Sequence, residues 1–200
     1  MQKGDAPMPT ERQPHQPPAP TLEEFFSAIF PPEAEGFLEL RALPGPIQEF
    51  VRPYDVDAIR GFRRRYRDRN VLFGPATRKR PGDGTLANCL DLWVVFADLD
   101  FKLLDEMEVL DRLQAFPLRP AIIIQSGHGL HVYWSVRGVF VQDDLERIEN
   151  ILRRLAQHLG ADRSAAEPAH MLRVPGSFNH STIPPAVSRS SCARRDRSTT

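Results

Sequence analysis

Val94-Val95-Phe96-Ala97-Asp98-Leu99-Asp100-Phe101 reads as a buried strand interrupted by two carboxylates. Side chains alternate along a strand, so residues two apart share a face. Asp98 and Asp100 therefore point the same way, about 7 Å apart at a rise of about 3.3 Å per residue. Two like charges on one face of an apolar strand are costly unless something positive stands between them. A divalent cation is the usual remedy, and carboxylates are the ligands magnesium and manganese prefer.

Two further stretches carry chemistry. In Gln125-Ser126-Gly127-His128-Gly129-Leu130-His131-Val132-Tyr133-Trp134 a glycine-rich turn joins two strands. Alternation puts Leu130, Val132 and Trp134 on one face, expected to be buried, and His131 and Tyr133 on the other. His131 is then expected on an open surface shared with Asp98 and Asp100. The Gly127-His128-Gly129 turn can bring backbone amides close to an anion; it can equally be a tight hairpin with a satisfied histidine. The other stretch is Gly160-Ala161-Asp162 followed by Met171-Leu172-Arg173-Val174-Pro175-Gly176-Ser177-Phe178-Asn179-His180. Asp162 lies just past a helix end, as a turn residue or a ligand. Arg173 lies in a short apolar strand, facing solvent or pairing with an anion such as a phosphate.

The surrounding pattern predicts an α+β fold. Residues 1–20, rich in proline and without apolar periodicity, are expected to form a disordered leader. Thr21-Leu22-Glu23-Glu24 is a capping box opening a helix that stops before Pro31-Pro32. Residues 36–43 alternate as a strand. Residues 55–68 form an arginine-bearing helix with Ile59, Phe62 and Tyr66 inside, and 70–74 a short strand. A loop spans 75–88, with the turn Pro81-Gly82-Asp83-Gly84. After the acidic strand, Leu104, Met107, Leu110 and Leu113 mark a helix. Residues 121–125 and 130–136 are strands. Leu145, Ile148, Leu152, Leu155 and Leu159 mark an amphipathic helix closed by Gly160. The order strand, helix, strand, strand, helix suggests a core sheet like that of RNA-recognition motifs, with flanking helices and an N-terminal α/β module. One domain is expected over 21–180. The polar, arginine- and serine-rich residues 181–200 are expected to be a disordered tail.

Composition narrows the function. The chain has 200 residues, 41% of them hydrophobic and 26% charged, an ordinary soluble composition. No apolar run reaches the 18 or so residues of a membrane span, and no signal-peptide pattern opens the chain. With Cys89 and Cys192 alone, neither a disulfide framework nor a cysteine zinc site is expected. A cytoplasmic setting fits. Net charge is zero, yet six arginines fall between Arg60 and Arg69, followed by Arg78, Lys79 and Arg80. Such a stripe is a solvated helix face or a track for phosphates.

DLD, SGHGLHVYW, and GAD followed by LRVPGSFNH resemble motifs I, II and III of the archaeo-eukaryotic primase superfamily, most strongly the primase-polymerases of plasmids, phages and mobile elements. GFLELRAL and VLFGPATR also look like that group, and the resemblance covers roughly residues 35–180. It implies a DNA primase and polymerase that synthesises or extends primers on a DNA template by two-metal catalysis, using nucleoside triphosphates. By position, Asp98, Asp100 and Asp162 would hold two Mg²⁺ or Mn²⁺ ions, with no zinc. His131 would contact the triphosphate of the incoming nucleotide, beside Ser126, Gly127, His128 and Gly129, with Arg173 as a further phosphate contact. Arg63, Arg64, Arg65, Arg78 and Lys79 are the nucleic-acid-binding candidates. A replicative helicase is an implied partner, encoded separately or lost from the C-terminus. After Asn179-His180 the family continues with a lysine and ordered sequence. Here Ser181-Thr182-Ile183-Pro184-Pro185 departs from it, as a truncated or frameshifted end would.

Two alternatives remain open on the sequence. A rolling-circle initiator endonuclease also uses metal-bound histidines on such a sheet. It needs two histidines one residue apart and a tyrosine nucleophile, whereas His128 and His131 are separated by two residues. A nucleic-acid-binding remnant without catalysis is the other.

Overall fold

The computed structural model describes residues 20–102, 104–181, 186–187 and 189–192. The leader expected over 1–20 lies outside them except for Pro20. Helix α1 (Leu22–Ile29) starts at the capping box. The Glu24 amide donates to Thr21 Oγ1 at 3.2 Å, and the Thr21 amide donates to Glu24 Oε2 at 2.7 Å. Its buried stripe, Leu22, Phe25, Phe26 and Ile29, drives it into the core.

A hairpin follows, β1 (Leu38–Leu43) and β2 (Ile47–Val51), turning at Pro44-Gly45-Pro46. Helix α2 (Val56–Arg65) is capped by Asp55, buries Ile59 and Phe62, and turns its arginines outward. β3 (Asn70–Phe73) pairs with β1, and the short β8 (Leu172–Arg173) pairs with β3. These strands make a four-stranded sheet in the order β2-β1-β3-β8.

The second sheet holds the motifs. β4 (Ala76–Arg78), β5 (Cys89–Asp100), β6 (Ile122–Gln125), β7 (Gly129–Phe140) and β11 (Arg189–Cys192) run in the order β11-β6-β7-β5-β4, every pair antiparallel. Helices α3 (Glu106–Ala115) and α4 (Leu145–Leu159) complete the core. On one face of this sheet Trp134 packs against Phe116 at the end of α3, ring centroids 5.5 Å apart. On the other face Tyr133 meets Phe25 of α1 at 5.5 Å, and Phe25 also touches Phe73 of β3. One hydrophobic core therefore runs through both sheets.

Four expectations change. His131 and Tyr133 do not face open solvent. They are 5% and 0% exposed, because α1 and the first sheet cover that face. The loop expected over 75–88 contains β4, all three of whose residues are buried. Three residues are too few to show alternation, and the charge of Arg78 disguised them. On α3 the buried residues are Val109 and Leu113, while Met107 and Leu110 are 65% and 43% exposed. Residues spaced by three fall behind the helical turn of 3.6, so four of them wrap half-way round the cylinder. Finally, the tail expected to be disordered from 181 contributes strands. β10 (Ala186–Val187) pairs with β9 (Phe178–Asn179), and β11 covers the outer edge of β6. Main-chain groups along an edge strand can be paired by almost any sequence, so no side-chain pattern announces it. Residues 182–185, 188 and 193–200 lie outside the described set.

Candidate active site at the open end of the two sheets

The register of β5 on β7 builds the site. Asp98 stands directly opposite His131, and Asp100 opposite Gly129. Opposed residues share a face, so the two carboxylates and the imidazole project together as the alternation required. Gly129 makes the pairing possible, since a Cβ there would run into the Leu99 carbonyl. That glycine serves the close approach of two strands. Gly127 takes the left-handed conformation, φ 105°, that turns the chain. The Ser126 amide donates to the Gly129 carbonyl at 2.9 Å, closing the turn. The amides of Gly127 and His128 donate to nothing among the described residues.

A pocket of about 220 Å³ opens here, walled by Asp98, Asp100, Lys102, Ser126, His128, His131, Arg173 and Asn179, with Leu72, Met171 and Ser181. His131 Nε2 lies 3.5 Å from Asp98 Oδ1, and His170 Nε2 lies 3.8 Å from Asp98 Oδ2. Burial opposes the charge of Asp98. His131, then His170 and Arg173, outweigh it and hold the carboxyl below the usual carboxylate range. Burial drives the His131 imidazole below its ordinary value, against the pull of Asp98. Both shifts favour an ionised Asp98 beside a neutral His131 at neutral pH. His131 Nδ1 is buried without a hydrogen-bond partner among the described residues.

Arg173 is 9% exposed, and burial lowers its guanidinium to a pKa of about 10, opposed by Asp98. Its Nη1 donates to Asn70 Oδ1 and to the Phe178 carbonyl, both at 2.9 Å, while Nε has no partner. Asn70 is a hub that also accepts from the His180 amide at 2.9 Å. Asn179 Nδ2 donates to the Ser126 carbonyl at 3.3 Å, tying the segment after β8 to the motif turn.

Of the proposed metal ligands, the structure brings Asp98 and Asp100 together. Their hard oxygen donors suit magnesium or manganese. Asp162 does not line the pocket. It is exposed, caps the short 3₁₀ turn Arg163–Ala165, and accepts from the Ser164 amide at 2.8 Å and hydroxyl at 2.6 Å. Those bonds hold its carboxyl below the usual range, and it feels the charges of Asp98 and His170. Among the described residues no three His, Cys, Asp or Glu side chains are gathered closely enough to hold a metal ion.

The basic candidates separate. Arg78 is fully buried and pairs with the equally buried Glu39 at 2.8 Å, so the expectation of a phosphate contact there gives way to a core ion pair. Lys79 Nζ donates to the Ala87 carbonyl at 3.3 Å, away from the pocket. Arg65 pairs with Glu49 of β2 at 2.5 Å. Arg63 and Arg64, with Arg60 and Arg67, instead line a second pocket against Gly176–Phe178.

Sequence reading missed His170, Asn70 and Lys102. His170 sits outside any periodic element, one residue before the motif strand was read to begin. Asn70 looks like an ordinary strand opening. None of the tyrosines lines the pocket, and Tyr133 is fully buried, which leaves the rolling-circle reading without a nucleophile. No described helix is long and apolar enough to cross a membrane.

Residues 89–184 match the family described as the RepB DNA-primase N-terminal domain. A solved structure of the archaeo-eukaryotic primase domain of the cyanophage S-2L primase-polymerase superposes with a TM-score of 0.60, covering 86% of this chain and 89% of that one at 15% identity. Its fold is that of a primase-polymerase. A crystal structure of the primase RepB′ superposes with a TM-score of 0.54 at 17% identity, over 82% of this chain and 52% of that one. A replication protein of Clostridium perfringens is 28% identical over 120 residues, 55% of this chain. The match spans only 28% of that relative's length. The resemblance read from the three motifs and the α+β architecture with its motif-bearing sheet are thus borne out, and residues 89–184 form a replication-primase-like region.

Proposed function

We propose that this chain is a DNA-directed nucleotidyltransferase, synthesising or extending primers on a DNA template during replication of a plasmid, phage or mobile element. The observation that carries this reading is the register of β5 on β7. It sets Asp98 opposite His131 and puts Asp100 on the same face, in one pocket with Arg173.

Asp98 and Asp100 would hold divalent magnesium or manganese, with Asp162 as the more distant third carboxylate; bound there, such ions acidify a primer 3′-hydroxyl and neutralise charge on the departing pyrophosphate. The chain's own groups would receive the triphosphate. Arg173 offers a charged donor whose Nε has no protein partner. The Ser126 hydroxyl and the amides of Gly127 and His128 add neutral donors at the turn. A neutral His131 carries one N–H, and with Nε2 facing Asp98 that proton would hold the carboxylate in place without the cost of a buried positive charge. All of these are fixed in advance by packing, so they need little reorganisation as charge develops. A volume of about 220 Å³ is smaller than the roughly 300–1,000 Å³ of typical small-molecule sites. It suits the phosphate groups, with base and sugar left outside.

The test is template-dependent primer extension with Mg²⁺ or Mn²⁺, using ribonucleotides and deoxynucleotides separately. Extension by the wild type and none by the Asp98→Ala, Asp100→Ala double variant excludes a binding remnant. A folded wild type that extends with neither metal overturns the proposal.

A further inference from the structure

The segment after β8 also borders a second pocket of about 330 Å³, lined by arginines of α2 and of the turn that follows it and by Gly176, Ser177 and Phe178. Its four arginines are in different circumstances. Arg60 is engaged by Glu23 and Asp57. Arg63 is half-buried and donates to the Pro175 carbonyl at 2.9 Å, fastening α2 to the segment. Gly176 suits this turn, with a left-handed φ of 73° that an L side chain rarely adopts. Arg64 and Arg67 are exposed and have no ion pair among the described residues.

The aromatic partner is Phe178. It is 43% exposed, although its main-chain carbonyl is fixed by Arg173 and its strand is paired with β10. The ring of His180 lies beside it, centroids 6.0 Å apart. His180 is itself anchored, its Nε2 3.0 Å from the Arg67 carbonyl. A rigidly held, solvent-facing ring next to two unpaired guanidinium groups is the composition that binds a single strand, with phosphates on the arginines and an unstacked base on the ring. A duplex hides its base faces and cannot use the ring. A lone triphosphate would satisfy the arginines and leave the ring idle.

We propose that Arg64, Arg67 and Phe178 form a binding site for single-stranded DNA that leads the template strand to the catalytic pocket along the segment from Arg173 to His180. This rests on the primase-polymerase reading for which strand is bound, but its test reads binding alone.

The test is fluorescence anisotropy of a labelled oligo-thymidylate, without metal or nucleotide, titrated with the full chain. Phe178→Ala is expected to weaken binding by about 5- to 140-fold, the equivalent of one stacked base. Phe178→Trp should restore it. Arg64→Ala with Arg67→Ala should flatten the dependence of log affinity on log salt by about 1.4, two phosphates on a single strand. Asp98→Asn should bind as the wild type does, so loss of catalysis and loss of this site are told apart. An unchanged affinity in Phe178→Ala overturns the proposal. So does an equal loss by Phe178→Ala on duplex DNA, which would show the ring acting other than by stacking on an unpaired base.

Discussion

Two polar clusters among the described residues, one inside the core and one half-buried beside a pocket, are finished to different degrees. In the first, Glu39 and Arg78 are both fully buried. Glu39 Oε1 accepts from Arg41 and Gln48, and its Oε2 from Arg78. Arg78 spends its other nitrogens on Ala76, Cys89 and Ala169. Neither side chain has a polar atom without a partner. In the second, Asp98, His131 and Arg173 gather around a pocket, and two atoms, His131 Nδ1 and Arg173 Nε, have no partner among the described residues. A closed network of charge holds elements together. An open one at the end of two sheets keeps bonding capacity for something that arrives. Leaving buried polar atoms unpaired costs stability; Trp93 Nε1 and Tyr133 Oη are also unpartnered, but only His131 and Arg173 line the pocket, where a ligand can meet them.

The largest test of this contrast is Glu39→Ala. It leaves Arg78 charged in the core and should cost about 3–5 kcal/mol in urea unfolding. A loss below about 1 kcal/mol would show that the first cluster is not structural. Next comes Asp98→Asn, which should lower primer extension by about 10²–10³-fold or more while moving stability by no more than about 1 kcal/mol. Were unfolding to shift as far as in Glu39→Ala, the two clusters would not differ in kind.

Acid sharpens the contrast further. The folded pKa of His131 lies below its unfolded value of about 6.5. The unfolded chain therefore binds the extra proton first. This contribution is complete above about pH 6.5 and is lost as pH falls from there toward the folded pKa. Asp98, also lowered, loses its own contribution only below about pH 3.9. His131→Gln should flatten the stability slope just below pH 6.5, and an unaltered slope would count against the buried neutral imidazole. The smallest effect belongs to α3. Leu110→Ala should change stability by no more than about 0.5 kcal/mol, since that residue lies on the exposed side.

Much of this was legible in the chain. The alternation of 94–101 and 130–134 put Asp98, Asp100 and His131 on one face, and the structure agrees. The capping box at Thr21 and the stripe of α4 were read for the same reason: both are local, and local chemistry determines them. What escaped depends on contacts between distant residues. Nothing near Arg78 in sequence announces Glu39, 39 positions away. Asn70 becomes a hub only when β8 is laid beside β3. The covering of Tyr133 by Phe25 likewise joins residues far apart in the chain.

The close approach at Gly129 has one more consequence. The backbone of β7 can press against the Leu99 carbonyl only where a residue without a Cβ falls opposite Asp100. A slip of one residue would bring His128 or Leu130 to that point and collide. It would also turn both carboxylates of β5 relative to His131, toward the apolar side packed by Trp134 and Phe116. The β5–β7 pair is thus a keyed joint: the glycine lets it close in one register, and the side chains on either side of that glycine bar the neighbouring ones.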